Sequence, residues 1–463
     1  MMALAGVSAS VTLLPALAQT APGPIIVTPA PSKRRLRSEP AEETDVLAYN
    51  GEVPGPILRL QQNQPTTIRL VNGLTEPTTL HLAGYRNANA MDGVAGLTQA
   101  PVAPGQSFDY QITPQNAGTY LYHPLVLGQT SEQVERGLTG LLIVQETNWQ
   151  AEIDRDIAVL LDDWRLTPEG KVDPGFAVAG DNARLGRLGN MLTVNGRAIP
   201  EIMLLPPRSR LRLRIGGIMN ARILPMTFRG MAKATVIAID GQPCEPFDPL
   251  RRQVIVAPGS RYDMVLDLPE QTDQETIIGV ALGDGLTVMR FVTEGEAVAP
   301  KQAIPPLPPN PGLPDAIRLQ EARRAELTIA GGWDISDPAG PGAAAEIIAQ
   351  KFPDAAKIWT LNYGFPSGIA GKPLFSVKRG TVVVVALTNR SNWVQVLRLH
   401  GHVFRVLHAL DDGWEPFFLD TVIVPEGKTV RIALLADNPG KWLIRSTVLE
   451  HLESGVLSWF EVT

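Results

Sequence analysis

One short pattern recurs three times after residue 40, and few folds can accommodate it. An Asn or Asn-Gly turn leads into a Pro-bearing stretch and then into a strand rich in Thr, Arg and Val. The first copy is Tyr49-Asn50-Gly51 with Pro54, Pro56 and residues 66–70. The second is Val194-Asn195-Gly196 with Pro200 and residues 210–214, and the third is Leu361-Asn362-Tyr363-Gly364 with Pro373 and residues 381–385. Apolar and polar residues alternate in the first two strands, as a strand with one buried face requires. Each copy opens a unit of roughly 110 to 150 residues, too long a period for a solenoid. Sandwich domains in tandem suit it. The 42 Gly and 40 Pro, set between short runs of Val, Ile, Leu and Thr, agree. The expected fold class is all-β, with three tandem β-sandwich domains.

Their expected limits are 40–146, 147–299 and 325–463. Residues 300–314 carry seven prolines. Proline fixes φ and lacks the ladder donor, so 300–324 reads as a stiff linker with a short helix around 316–324. The boundary near 146–156 shows only a local rise in charge.

Residues 1–18 read as a signal-like segment: a small apolar run ending in Ala16-Leu17-Ala18 before Gln19. No Lys or Arg precedes Lys33, so the expected basic start lies upstream of Met1, with twin-arginine export as one route. The alternative is a plain apolar tail. The run is too short and too rich in Gly and Ser for a stable membrane span. Residues 19–39, with the basic group Lys33-Arg34-Arg35-Leu36-Arg37, read as a solvated linker.

The formal net charge of −6 argues against a nucleic-acid partner. Cys244 is the only cysteine, which excludes an intrachain disulfide. It sits in the turn-rich stretch Asp240-Gly241-Gln242-Pro243-Cys244-Glu245-Pro246 with no histidine nearby, and reads as a structural thiol.

Four segments carry a family resemblance. They are Leu80-His81-Leu82-Ala83-Gly84 with Asn89-Ala90-Met91-Asp92-Gly93-Val94; Gly118-Thr119-Tyr120-Leu121-Tyr122-His123-Pro124-Leu125 with Gly137-Leu138-Thr139-Gly140; Gln395-Val396-Leu397-Arg398-Leu399-His400-Gly401-His402; and Arg445-Ser446-Thr447-Val448-Leu449-Glu450-His451. Asp420-Thr421-Val422 and Ala436-Asp437-Asn438-Pro439-Gly440 lie between the last two. Together they resemble the His-rich motifs of the multicopper oxidases, which implies three cupredoxin-like Greek-key domains.

That resemblance also implies eight histidines around a trinuclear copper cluster. This chain has His81, His123 and His400, with Ala83, Leu125, Arg398, Arg445 and Thr447 at the other five places. The blue-copper site needs two histidines and a thiolate. Its places hold Gln395, Ser446 and His451, with Val456 at the axial position. Serine is no thiolate at neutral pH, and the two arginines carry permanent charge that opposes a cation. The expectation is therefore no catalytic residue and no cofactor, with His81, His123, His400 and His451 as relict ligand positions.

Competing readings exist for single residues. His81, His123 and His400 could hold one divalent ion such as zinc, against packed or hydrogen-bonded histidines. His451 beside Glu450 could form an acid–base pair, and Asp92 is expected to hold the turn at Gly93. His402 and His408 read as structural. The chain resembles copper-free, exported, cell-division-type members of the superfamily. This implies a non-catalytic periplasmic scaffold or binding protein whose partners are other envelope proteins. A copper-dependent oxidase of phenols or metal ions is the alternative.

Overall fold

The three Asn turns share one geometry in the computed structural model, which describes residues 23–37, 43–314, 316–332, 358–364, 368–410 and 413–463. Asn50 and Gly51 have φ of 51° and 76°, Asn195 and Gly196 51° and 70°, and Asn362 and Tyr363 49° and 68°. Two successive positive φ values make the tight turn whose twist matches antiparallel strands. Each Asn side chain then stitches the turn to the first strand of its unit. Asn50 accepts from Thr28 N at 2.7 Å and donates to Ile26 O at 2.9 Å. Asn195 does the same with Leu160 N and Ala158 O, at 3.0 and 2.9 Å. Asn362 does so with Thr328 N and Glu326 O, at 2.8 and 3.2 Å. The repeat is thus one structural device used three times.

In every unit that stitched strand pairs in parallel with the Thr/Arg/Val strand of the repeat. Ile25–Val27 lies on Thr66–Val71, Arg155–Trp164 on Arg210–Gly217, and Arg323–Gly331 on Thr381–Asn389. Two sheets then close on a core in the second and third units, and a three-stranded and a four-stranded sheet with a two-stranded ribbon do so in the first, a nearly all-β architecture. Ile68, Tyr110 and Leu142 fill the first core, Leu213, Met226 and Ile278 the second, and Val385, Leu397 and Trp442 the third. Full burial of each Leu, Ile, Val or Met side chain among these contributes about 1.5–3 kcal/mol.

Two expectations are corrected here. Residues 19–39 are not all linker, because Ile25–Val27 and Pro29–Arg34 are strands. Lys33 and Arg34 lie in the second of these, paired with Thr44–Tyr49, while Arg37 donates to Thr167 O and Pro168 O at 3.0 Å each. Two of those strand residues are prolines, which hid the pattern. The helix expected around 316–324 is a single 3-10 turn, Leu319–Glu321, and the strand starts at Arg323. The signal-like segment lies outside the described residues.

The first and third units touch directly. Arg86 pairs with Asp437, and Asn89 Nδ2 donates to Lys441 O at 2.6 Å. Arg261 of the second unit joins all three. It donates to Thr119 O at 3.3 Å and forks onto both oxygens of Asp420 at 2.5 and 2.9 Å.

Candidate metal centre

Strand register brings the site together. His81 and His123 are opposite each other on the adjacent strands His81–Ala83 and Gly118–His123. His400 follows the strand Gln395–Leu399, whose Arg398 is opposite Arg445 of Gly440–Ser446. The His81 ring stacks on His400 with centroids 4.2 Å apart and lies 5.3 Å from His123. All five residues are buried.

Asp92 sets the orientation of two rings. His400 Nδ1 is 2.8 Å from Asp92 Oδ2, while His81 Nδ1 is 2.6 Å from the Asp92 main-chain oxygen and 3.5 Å from Oδ1. His123 Nδ1 is 2.7 Å from Pro124 O. Every Nδ1 therefore donates its proton outward, and every Nε2 presents a lone pair to the interior, as metal-binding imidazoles do. His81, Asp92 and His400 have ligand atoms within 4.8 Å of one another. Asp92 does more than the turn role expected of it. Gly93 supplies that turn, since its φ is +76° and a Cβ there would lie 2.2 Å from Leu80 O.

Two of the three interior lone pairs are already engaged. Arg445 Nε donates to His400 Nε2 at 3.0 Å, and Nη2 lies 3.3 Å from His123 Nε2. Its Nη1 donates to Ser446 O at 3.0 Å. His81 Nε2 is buried without a hydrogen-bond partner. The Arg445 guanidinium thus fills the space onto which two of the three imidazoles converge.

Charge balance follows from burial. Burial pushes His400 down to about 3 despite the facing Asp92, and burial with the Arg445 charge holds His123 well below its ordinary range. Burial would raise Asp92, but His400 and His81 outweigh it and hold the carboxyl low. Arg445 is pulled down to about 9 by burial and by Arg398 beside it. At neutral pH the centre holds neutral His123 and His400, an ionised Asp92 and two cationic arginines.

The second group of positions also converges. His451 Nε2 is 2.7 Å from Arg184 O, and the Gln395 amide is 3.2 Å from His451 Nδ1. Ser446 N donates to Val456 O at 2.8 Å, and Val456 N to His451 O at 2.8 Å. Burial pushes His451 down to about 4, and its neutral ring lies between two oxygens, Arg184 O at Nε2 and Gln395 Oε1 at Nδ1. The Trp359 ring lies 4.6 Å away. Glu450 turns elsewhere, accepting from Ser131 Oγ at 2.5 Å and Asn220 Nδ2 at 3.2 Å. The His451–Glu450 pair expected as an alternative does not form.

His402 is buried edge-on to Trp442 and accepts from Asn438 N at 3.3 Å, a structural role. Cys244 packs against the second core, its thiol pushed up to about 12 by burial. Arg261, Asp240 and Arg184 escaped sequence reasoning. No motif marks them, and the residues they meet are up to 267 positions away.

Two multicopper oxidase family models match, one over residues 32–148 and another over 347–463, the two segments that supply this centre. The chain belongs to the multicopper oxidase family. Among curated relatives, "Multicopper oxidase MmcO" of Mycobacterium tuberculosis is 25% identical over 460 residues, covering 93% of this chain and 85% of the relative. "Multicopper oxidase mco" of Staphylococcus aureus is 24% identical, covering 91% and 84%. A multicopper oxidase structure from Pseudomonas thermotolerans superposes with a TM-score of 0.82 at 29% identity, covering 95% of this chain and 99% of that one.

These matches correct one expectation. Membership in this multicopper oxidase family points to copper, against the reading of no cofactor. The family's full copper complement, however, does not fit the residues present. Ser446 supplies no thiolate, and the Arg445 guanidinium sits against two of the three inward nitrogens. Of the donors the motifs call for, the described centre retains His81, His123 and His400, with Asp92 behind two of them. Among the described residues no helix is long and apolar enough to cross a membrane.

Proposed function

We propose that this multicopper oxidase family member works as a non-catalytic binding or scaffold protein of the cell envelope, in the periplasm, with other envelope proteins as partners. The observation that carries this reading is the Arg445 guanidinium hydrogen-bonded to His400 Nε2 and against His123 Nε2. A cation in that position at neutral pH opposes metal charge. Ser446 in the thiolate position supports the same conclusion, because electron entry needs a soft thiolate ligand. The scaffold itself is indifferent to both changes, since strands and Asn turns build it.

A second reading, an oxidase of phenols or metal ions, is favoured by the relatives' names. Oxygen uptake by copper-supplemented protein with phenolic, ferrous and cuprous substrates separates the two. The binding-protein reading expects no uptake above the protein-free rate. Sustained turnover by the unmodified chain would overturn it.

A further inference from the structure

Beside the two arginines lies a cavity of about 30 Å³, walled by His123, Ile218, Met219, Arg398, Arg445 and Thr447 among others. Both guanidiniums are 1% exposed. Arg398 Nε is shared between Asp420 Oδ1 at 3.2 Å and Thr421 Oγ1 at 3.1 Å, and Nη2 donates to Gly259 O. Its Nη1 has no hydrogen-bond partner among the described residues. Arg445 donates only to neutral acceptors: His400, His123 and the Ser446 carbonyl.

The neighbouring acids are committed elsewhere. Asp420 is forked onto Arg261. Asp240 lies 3.4 Å from Arg261 Nη1 and accepts from the main-chain N–H of Asp420 and Thr421. Asp92 serves His400 and His81. Arg445 thus has no carboxylate in contact, and the ionised Asp92 reaches it only across the His400 ring. Two buried guanidiniums lining one cavity, one of them without a directly bonded carboxylate, favour an anion between them.

From this arrangement we infer that the cavity between Arg398 and Arg445 binds a small inorganic monoanion of the halide class, chloride first. The volume decides the class. About 30 Å³ holds one water-sized species, enough for chloride or bromide and too little for sulfate or phosphate. The apolar share of the wall, Ile218 and Met219, favours a weakly hydrated monoanion over a strongly hydrated one. The anion would accept a hydrogen bond from Arg398 Nη1 and face the Arg445 charge, without displacing the bonds to His400 and His123.

The inference rests on the reading that Arg445 fills the space between His123 and His400. Its test uses the unmodified protein, with copper content measured in the same preparation, before and after chelation. Thermal unfolding is followed in sodium chloride, bromide and gluconate at matched ionic strength. Chloride and bromide should raise the midpoint saturably, by roughly 2 to 4 °C at about 100 times the dissociation constant, and gluconate should not. Crystals grown in bromide should show anomalous density between the two guanidiniums. Arg398→Met should abolish both signals. Should that variant not fold, the bromide density in the unmodified protein decides alone.

Equal midpoints in all three salts with only water in the cavity would overturn the proposal. A halide effect that disappears on chelation would also overturn it, by assigning the anion to copper. Oxidase turnover with a persistent, chelation-resistant halide effect would sink the binding-protein reading and leave the anion site standing.

Discussion

Arg445 Nε donates to His400 Nε2 across 3.0 Å, so a guanidinium occupies the lone pair that an imidazole would otherwise offer to a metal. The strand register makes Arg398 its cross-strand neighbour, and two like charges opposite each other are unfavourable. Replacing both, Arg398→His with Arg445→His, removes two opposing charges and adds two nitrogen donors at family ligand positions. The double variant should retain more copper per chain than the unmodified protein after loading and desalting. Elemental analysis checks this, and equal copper contents would mean that the arginines do not gate the metal.

The contact between the first and third units should weaken as pH rises. Glu453 Oε1 accepts from Ser131 N at 2.9 Å, and burial pushes its carboxyl from the ordinary 4.5 up to about 7. The folded state therefore favours the protonated acid. Its contribution is full below pH 4.5, falls as pH rises toward 7, and is lost above that. Glu453→Gln keeps the acceptor without the charge. Relative to the unmodified chain it should gain on the order of 3 kcal/mol at pH 8 and little at pH 4. Denaturant titrations at the two pH values measure the difference, and a pH-independent gap would refute the assignment.

The Asn stitch predicts a stability loss of two separable parts. Asn195→Ala removes the bonds to Leu160 N and Ala158 O and places alanine at φ 51°. The expected cost is about 2–4 kcal/mol. Asn195→Gly tolerates the positive φ and should recover about 1 kcal/mol of that. If both variants unfold at the same denaturant concentration, backbone strain plays no part at this turn.

How much of this was legible in the sequence depended on the range of the interaction. The Asn turns were, because turn chemistry is local and recurs. His81, His123 and His400 converge as their motifs implied. What Arg445 does there was not legible, because its partners are set by a register between strands 45 residues apart and by a histidine 322 residues away. The strand Pro29–Arg34 is not legible because Pro29 and Pro31 disguise it as a linker. Asp92 was under-read for a similar reason: its main partner, His400, is 308 residues distant.

The blue-copper positions give the sharpest test of whether chemistry was lost by ligand change alone. Ser446, Gln395 and His451 are all buried, and His451 Nδ1 lies 3.2 Å from Gln395 Oε1. Ser446→Cys with Gln395→His would place a thiolate and two imidazoles at one point, the donor set of a blue site. The double variant should bind one additional copper ion and show the intense thiolate-to-copper absorption. Ser446→Cys alone should show a weak band or none, because only His451 would accompany the thiolate. Neither variant should consume oxygen, since Arg398 and Arg445 still occupy the cluster positions and no second redox centre receives the electrons. Absorption and oxygen-electrode measurements on matched copper-loaded samples decide it. A blue double variant without turnover fits the geometry. Turnover from Ser446→Cys alone would show that the guanidinium at His400 is no barrier to the cluster.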